Sequence, residues 1–82
     1  MPNHSPSKIY NRIQLFRTAH NLSRQELADA LSVNFQTIGY LERGDYTPSL
    51  ELALKMSLYF QVPTQELFSL TPFETIFPIN PK

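Results

Sequence analysis

Cysteine is absent from this 82-residue chain, so it holds no disulfide and no thiolate metal site. That absence suits a reducing cytoplasm, where the protein is expected to act. Glycine occurs only twice, which leaves no glycine-rich phosphate loop. The two histidines, His4 and His20, fall in a polar opening segment and at an expected helix end. Neither stands beside a nucleophile or a second ligand, and the acids are spread singly along expected helix surfaces. Nothing here supports an enzyme, and no cofactor or metal site is expected. No apolar run approaches the ~18–20 residues of a membrane span, and the opening MPNHSPSK has no apolar signal-peptide region. Charge leans neither way: seven basic and seven acidic residues cancel. A net basic domain is common among nucleic-acid binders, so this balance argues for few phosphate contacts and modest non-specific affinity. Chain length allows one small domain with a modest core.

What is present is concentrated between Leu22 and Gly44, LSRQELADALSVNFQTIGYLERG. Ser23 followed three residues later by Glu26 is a capping box, in which the hydroxyl takes an orphan helix N–H and the carboxylate reaches back. Leu27, Ala28 and Leu31 then share one helical face. Asn34 is a strong N-cap for a second helix that carries Ile38 and Leu41 inward, with Val33 beside them, and stops at Gly44. Two helices joined by so few residues must cross steeply and leave the second one's polar N-terminal face outward. That is the geometry of a helix entering the DNA major groove.

Around this pair the chain divides simply. Residues 1–7 hold two prolines and small polar residues and are expected to be disordered. A first helix is predicted from about Asn11 to His20, with Ile9, Ile13 and Phe16 inward and Asn21 in the left-handed cap. Asp45-Tyr46-Thr47-Pro48 is a loop, and Ser49 caps a fourth helix from about Leu50 to Phe60. On a helical wheel Leu50, Ala53, Ser57 and Phe60 form its inward face, with Leu52, Met56 and Tyr59 as a flanking stripe. Pro63 suits the first position of a short fifth helix reaching about Phe68. Beyond residue 70, Pro72, Pro78 and Pro81 interrupt Phe73, Ile76, Phe77 and Ile79. A short extended tail over 71–82, packed and associated with a dimer contact, is the expectation.

Residues 9–68 resemble the five-helix, all-α, lambda-repressor-like domain of repressor/Cro-type regulators, the xenobiotic-response-element family. The likeness rests on Arg17 before Leu22-Ser23, Glu26-Leu27-Ala28, Gln36-Thr37-Ile38, Glu42 before Gly44, Pro48-Ser49-Leu50, and Gln65-Glu66-Leu67-Phe68. With no second domain, the chain is most similar to short regulators of the cytolysin-repressor kind. Two positions depart from the pattern. Ser32 stands where the turn usually has Gly, and Gly39 lies inside the recognition helix at a cost of ~1 kcal/mol relative to Ala. Gly39 is either room for close backbone approach or drift without a role.

The resemblance implies sequence-specific binding of double-stranded DNA by a homodimeric transcriptional regulator, a repressor in most such cases, on a palindromic operator. It places Phe35, Gln36, Thr37 and Tyr40 at base edges. Gln36 has the amide geometry for a bidentate pair with adenine, and Phe35 suits thymine methyl groups. Arg24, Asn34 and Arg43 become phosphate contacts, with Asn34 also the helix cap and Arg43 also suited to the helix dipole. Arg17 and Glu42 become a structural ion pair across helices one and three. Self-association would draw on Leu67, Phe68, Leu70, the tail's Phe73, Ile76 and Phe77, and the Leu52–Met56–Tyr59 stripe. The alternative is a protein-interaction module, such as the antitoxin of a toxin–antitoxin pair, which the zero net charge and apolar tail favour.

Overall fold

Four short polar side chains decide where the helices begin. Asn11 accepts from the N–H of Ile13 at 3.0 Å and opens α1 (Ile13–Ala19). Ser23 and Glu26 close a reciprocal capping box on α2 (Arg24–Leu31), with both hydrogen bonds formed. Asn34 accepts from Gln36 N–H at 2.8 Å ahead of α3 (Phe35–Arg43), and Ser49 accepts from Leu52 N–H at 3.1 Å ahead of α4 (Leu50–Phe60). A single turn, α5 (Thr64–Leu67), follows Pro63, which serves as its cap residue rather than its first helical position. The computed structural model describes residues 8–74. The expected disorder of residues 1–7 and the expected packing of Ile76, Phe77 and Ile79 lie outside them.

All five helices contribute to one core: Ile13 from α1, Leu27, Ala28 and Leu31 from α2, Ile38 and Leu41 from α3, Leu52, Met56 and Phe60 from α4, and Leu67 from α5. Phe16, Leu22, Val33, Val62 and Phe68 pack around its margin. Phe60 closes one end, stacked among Phe16, His20 and Tyr59 with ring centroids between 5.1 and 5.8 Å apart. The fold is all-α with one small addition.

That addition is a two-stranded antiparallel sheet. β1 (Tyr10–Asn11) pairs with β2 (Phe68–Ser69) in the register Tyr10↔Ser69 and Asn11↔Phe68. Asn11 and Tyr10 are therefore extended, not helical, and α1 starts at Ile13. Two-residue strands leave no periodicity to read. The pairing is extended by Arg12, whose N–H donates to Leu67 O and whose guanidinium bonds Glu66 at 2.7 Å. Arg12 also lies 4.2 Å beneath the ring of Phe73, which holds the start of the tail against the domain.

The face of α4 is the other correction. Leu52, Met56 and Phe60 point inward, whereas Leu50 is 74 % exposed and Tyr59 is largely exposed. α4 carries two apolar rows with the same four-residue spacing, Leu52–Met56–Phe60 and Leu50–Leu54–Leu58. Offset by two residues, they lie about 200° apart on the helix, so periodicity alone cannot choose between them. The neighbours choose. Leu50, Leu54 and Leu58 are left as an exposed row at 74 %, 53 % and 79 % exposure.

Helix ends show a consistent device. Asn21, Ser32 and Gln61 take the left-handed conformation after α1, α2 and α4, with φ of 58°, 59° and 58°, and Gly44 does so after α3 at 80°. Only the last is free of the Cβ penalty. At Ser32 the side chain is exposed and makes no hydrogen bond within the described residues. Ser32→Gly should therefore raise unfolding free energy by about 1 kcal/mol or less, the relief of left-handed strain being partly offset by glycine's greater unfolded-state entropy. Urea denaturation measures it; unchanged or lowered stability would contradict the strain assignment.

Candidate nucleic-acid interface

The orientation of α3 is set by a single carboxylate. Glu42, near the end of α3, has a side chain only 1 % exposed and receives two guanidinium groups. Arg17 of α1 donates through Nε at 2.5 Å and through Nη2 at 3.3 Å, a bidentate approach. Its Nη1 reaches on to the carbonyl of Leu22 at 2.9 Å, just before the α2 cap. Arg24, the first residue of α2, donates Nε at 3.0 Å to Glu42 Oε1, the oxygen that also accepts from Arg17 Nη2. One buried anion thus gathers three helices, and two cations against one leave the cluster net positive. Asn11 adds a tie from the other side, donating Nδ2 to Leu41 O at 2.9 Å.

Held this way, α3 turns Ile38 and Leu41 into the core and presents the opposite side to solvent. Phe35 and Tyr40 stand 46 % and 47 % exposed, and Gln36 is exposed between them. Together with Gly39, Arg43 and Arg24 they line one shallow depression. Phe35 is not part of the core that Ile38 and Leu41 join, so the core does not account for its place on this face. Tyr40 is partnered by Arg43, whose guanidinium lies 5.2 Å from its ring.

Thr37 goes elsewhere. Half-buried, it shares a separate polar depression with Asn34, Tyr46, Ser49 and Lys55 on the other flank of α3. Asn34 uses Oδ1 on the Gln36 N–H. Its amide donors stay on that flank. The structure therefore divides the residues singled out in the sequence into two groups: Phe35, Gln36, Tyr40, Arg24 and Arg43 on one surface, and Asn34 and Thr37 on another. Arg43 also pairs with Asp45 at 3.0 Å, an exposed contact of little energetic weight.

Two participants escape a sequence reading. Arg24 belongs to the Glu42 cluster as well as to the surface, and its position at the start of α2 carries no signal of that. Asn11 anchors the carbonyl end of α3 from outside the helix-turn-helix, across a separation that no local pattern spans. Among the described residues no group of His, Cys, Asp or Glu is arranged to hold a metal ion, and no helix is long and apolar enough to cross a membrane.

The Glu42 cluster yields a stability prediction. Arg17→Ala leaves a buried carboxylate with one partly exposed partner and should cost about 3 kcal/mol or more. Arg24→Ala removes a side chain already 38 % exposed and should cost about 1 kcal/mol or less. Chemical denaturation of both variants checks the order; equal losses would show that the two guanidinium groups share the burial evenly.

The helix-turn-helix family profile matches residues 13–67, the whole of the five-helix core. An uncharacterized HTH-type transcriptional regulator of Methanocaldococcus jannaschii is 41 % identical over 58 residues, covering 71 % of this chain and 88 % of that protein. One from Archaeoglobus fulgidus is 40 % identical over 57 residues, 70 % of this chain and 80 % of its own. A third, YgzD of Bacillus subtilis, is 35 % identical over 58 residues, with 71 % and 88 % covered. With its capped helix pair, its outward-facing recognition surface and these relatives, the chain belongs to the helix-turn-helix family of transcriptional regulators of the Cro/C1 type, which are DNA-binding and non-enzymatic.

Proposed function

We propose that the protein is a transcriptional repressor that reads a palindromic operator as a homodimer. The observation that carries the base-reading half of this proposal is the outward face of α3. Phe35, Gln36 and Tyr40 stand together there, exposed and outside the core, beside two arginines. Gln36 reads adenine through its amide, Phe35 packs on thymine methyl groups, and Tyr40 lies at the groove edge. Arg24 and Arg43 hold phosphate on this surface. Asn34 and Thr37, on the other flank of α3, meet the backbone of the opposite groove wall, so Thr37 moves from base to phosphate contact.

The dimer half rests on different surface. One short recognition helix neutralises too few phosphates for tight specific binding at zero net charge. A two-fold pair sets two such helices about 34 Å apart on one face of B-DNA. The interface this requires is supplied by Leu50, Leu54 and Leu58, with the adjoining apolar groove of Ile9, Ala53 and Phe68. A self-complementary leucine row suits a second copy of the same chain. Leu52, Met56 and Leu67 are fully committed to the monomer core and take no part.

Gln36→Ala should weaken binding to a site selected from random DNA by about 1–3 kcal/mol, with non-specific binding nearly unchanged. Equal weakening on all sequences would move Gln36 to the backbone. Leu54→Asp and Leu58→Asp change exposed side chains and should leave the fold intact while shifting sedimentation from dimer to monomer and lowering operator affinity. A dimer that persists in both variants would hand the leucine row to a different protein, as in the antitoxin alternative. Full operator affinity in a monomeric variant would show that one domain reads the site alone.

A further inference from the structure

Gly39 is buried although it lies on the solvent side of α3, because two arginine side chains cover it. At the point where an alanine Cβ would sit, Nη1 of Arg43 is 3.3 Å away and Nη1 of Arg24 is 3.7 Å away. The two guanidinium groups come from different helices and converge on the one residue of α3 that has no side chain. Each is oriented in the same manner. Arg24 spends Nε on Glu42 and Arg43 spends Nε on Asp45. Among the described residues neither donates its Nη groups to any acceptor. Like charges brought together with their donors unspent form a poor resting arrangement and a good receptor for an anion.

The geometry points to a single-phosphate clamp: Arg24 and Arg43 close on the same DNA backbone phosphate, and Gly39 is the positioning residue that opens the space for it. This rests on the DNA-binding function proposed above and makes it more specific, because two separate phosphate contacts would need no convergence. Phe35, Gln36 and Tyr40 line the same depression, so the clamped phosphate lies at the edge of the bases that α3 reads. A side chain at position 39 would stand between the two arginines. An alanine there would press on the mobile end of Arg43, and a leucine would fill the space outright.

The test uses the full chain and a mixed-sequence duplex of about three turns of B-DNA, with affinity measured across a salt series. Arg24→Gln keeps a side chain able to bond Glu42, and Arg43→Gln leaves the end of α3 intact. Each should bind about tenfold more weakly at low salt, as expected for loss of one charge-assisted contact. The decisive quantity is the slope of log affinity against log salt, which counts neutralised phosphates. In the double variant its magnitude should fall by about one, since one phosphate is lost. Gly39→Leu should lower the slope by a similar amount while the thermal midpoint holds or rises, because leucine favours the helix. A fall of about two in the double variant would mean separate phosphates, and an unchanged slope in Gly39→Leu would mean that the glycine positions nothing; either overturns the clamp while leaving DNA binding in place. Slopes unchanged in every variant would remove these arginines from the DNA interface altogether. Should Gly39→Leu fail to fold, the arginine pair still decides the question.

Discussion

The carboxylate of Glu42 is the interaction on which the rest of the site depends. It is almost wholly removed from water, and a charge so placed is tolerable only when paired and hydrogen-bonded. Arg17 supplies a bidentate pair from α1, and Arg24 adds a second donor to one of the same oxygens from α2. What the cluster fixes is angle. α3 is only nine residues long, too short to hold its orientation by its own helix propensity. Apolar packing at Ile38 and Leu41 is non-directional and tolerates rotation about the helix axis. A fork of hydrogen bonds does not.

A second consequence concerns charge. The chain is neutral overall, yet the depression on α3 is bordered by Arg24 and Arg43, and the acid beneath it is shared between two cations. Glu42 and Asp45 occupy Nε atoms and leave the outward-pointing Nη donors free. Neutrality in composition thus coexists with a local positive field where the arginines are aimed. Non-specific affinity depends on the number of phosphates neutralised, whereas positioning depends on where the few cations sit.

Much of the fold was legible because it is written in local chemistry. Ser23 with Glu26, Asn34, Ser49 and Gly44 act within four residues of themselves, so the starts of α2, α3 and α4 and the end of α3 could be read directly. Asn11 and Tyr10 could not, since a two-residue strand has no pattern and its partner lies at the far end of the domain. The face of α4 failed for another reason: two apolar rows carry the same spacing, and only the surrounding helices distinguish them. At the site, the exposed set on α3 follows from the inward set once Ile38 and Leu41 are placed. The side chosen by Thr37 and the attachment of Arg24 to Glu42 depend on how three helices meet, which no single segment encodes. Gly39 was ambiguous in sequence because a missing side chain states nothing about what fills its place.

The short sheet between β1 and β2 has a bearing on how the chain is synthesised and rearranged. It joins the first described element to the last, and Arg12 reinforces the seam through Leu67 and Glu66. Helices α2 and α3 make their contacts with near neighbours in sequence, and such contacts form quickly, whereas the seam must wait until residues at both ends have met. Emerging from a ribosome, the recognition unit can assemble while the domain is still an open ring. In the closed domain Asn11, a residue of the seam, also holds the carbonyl end of α3. Because entry and exit lie side by side, the domain is also a natural cassette: it can be set into a loop of another protein, or relinked end to end and opened elsewhere, without disturbing the exposed face of α3.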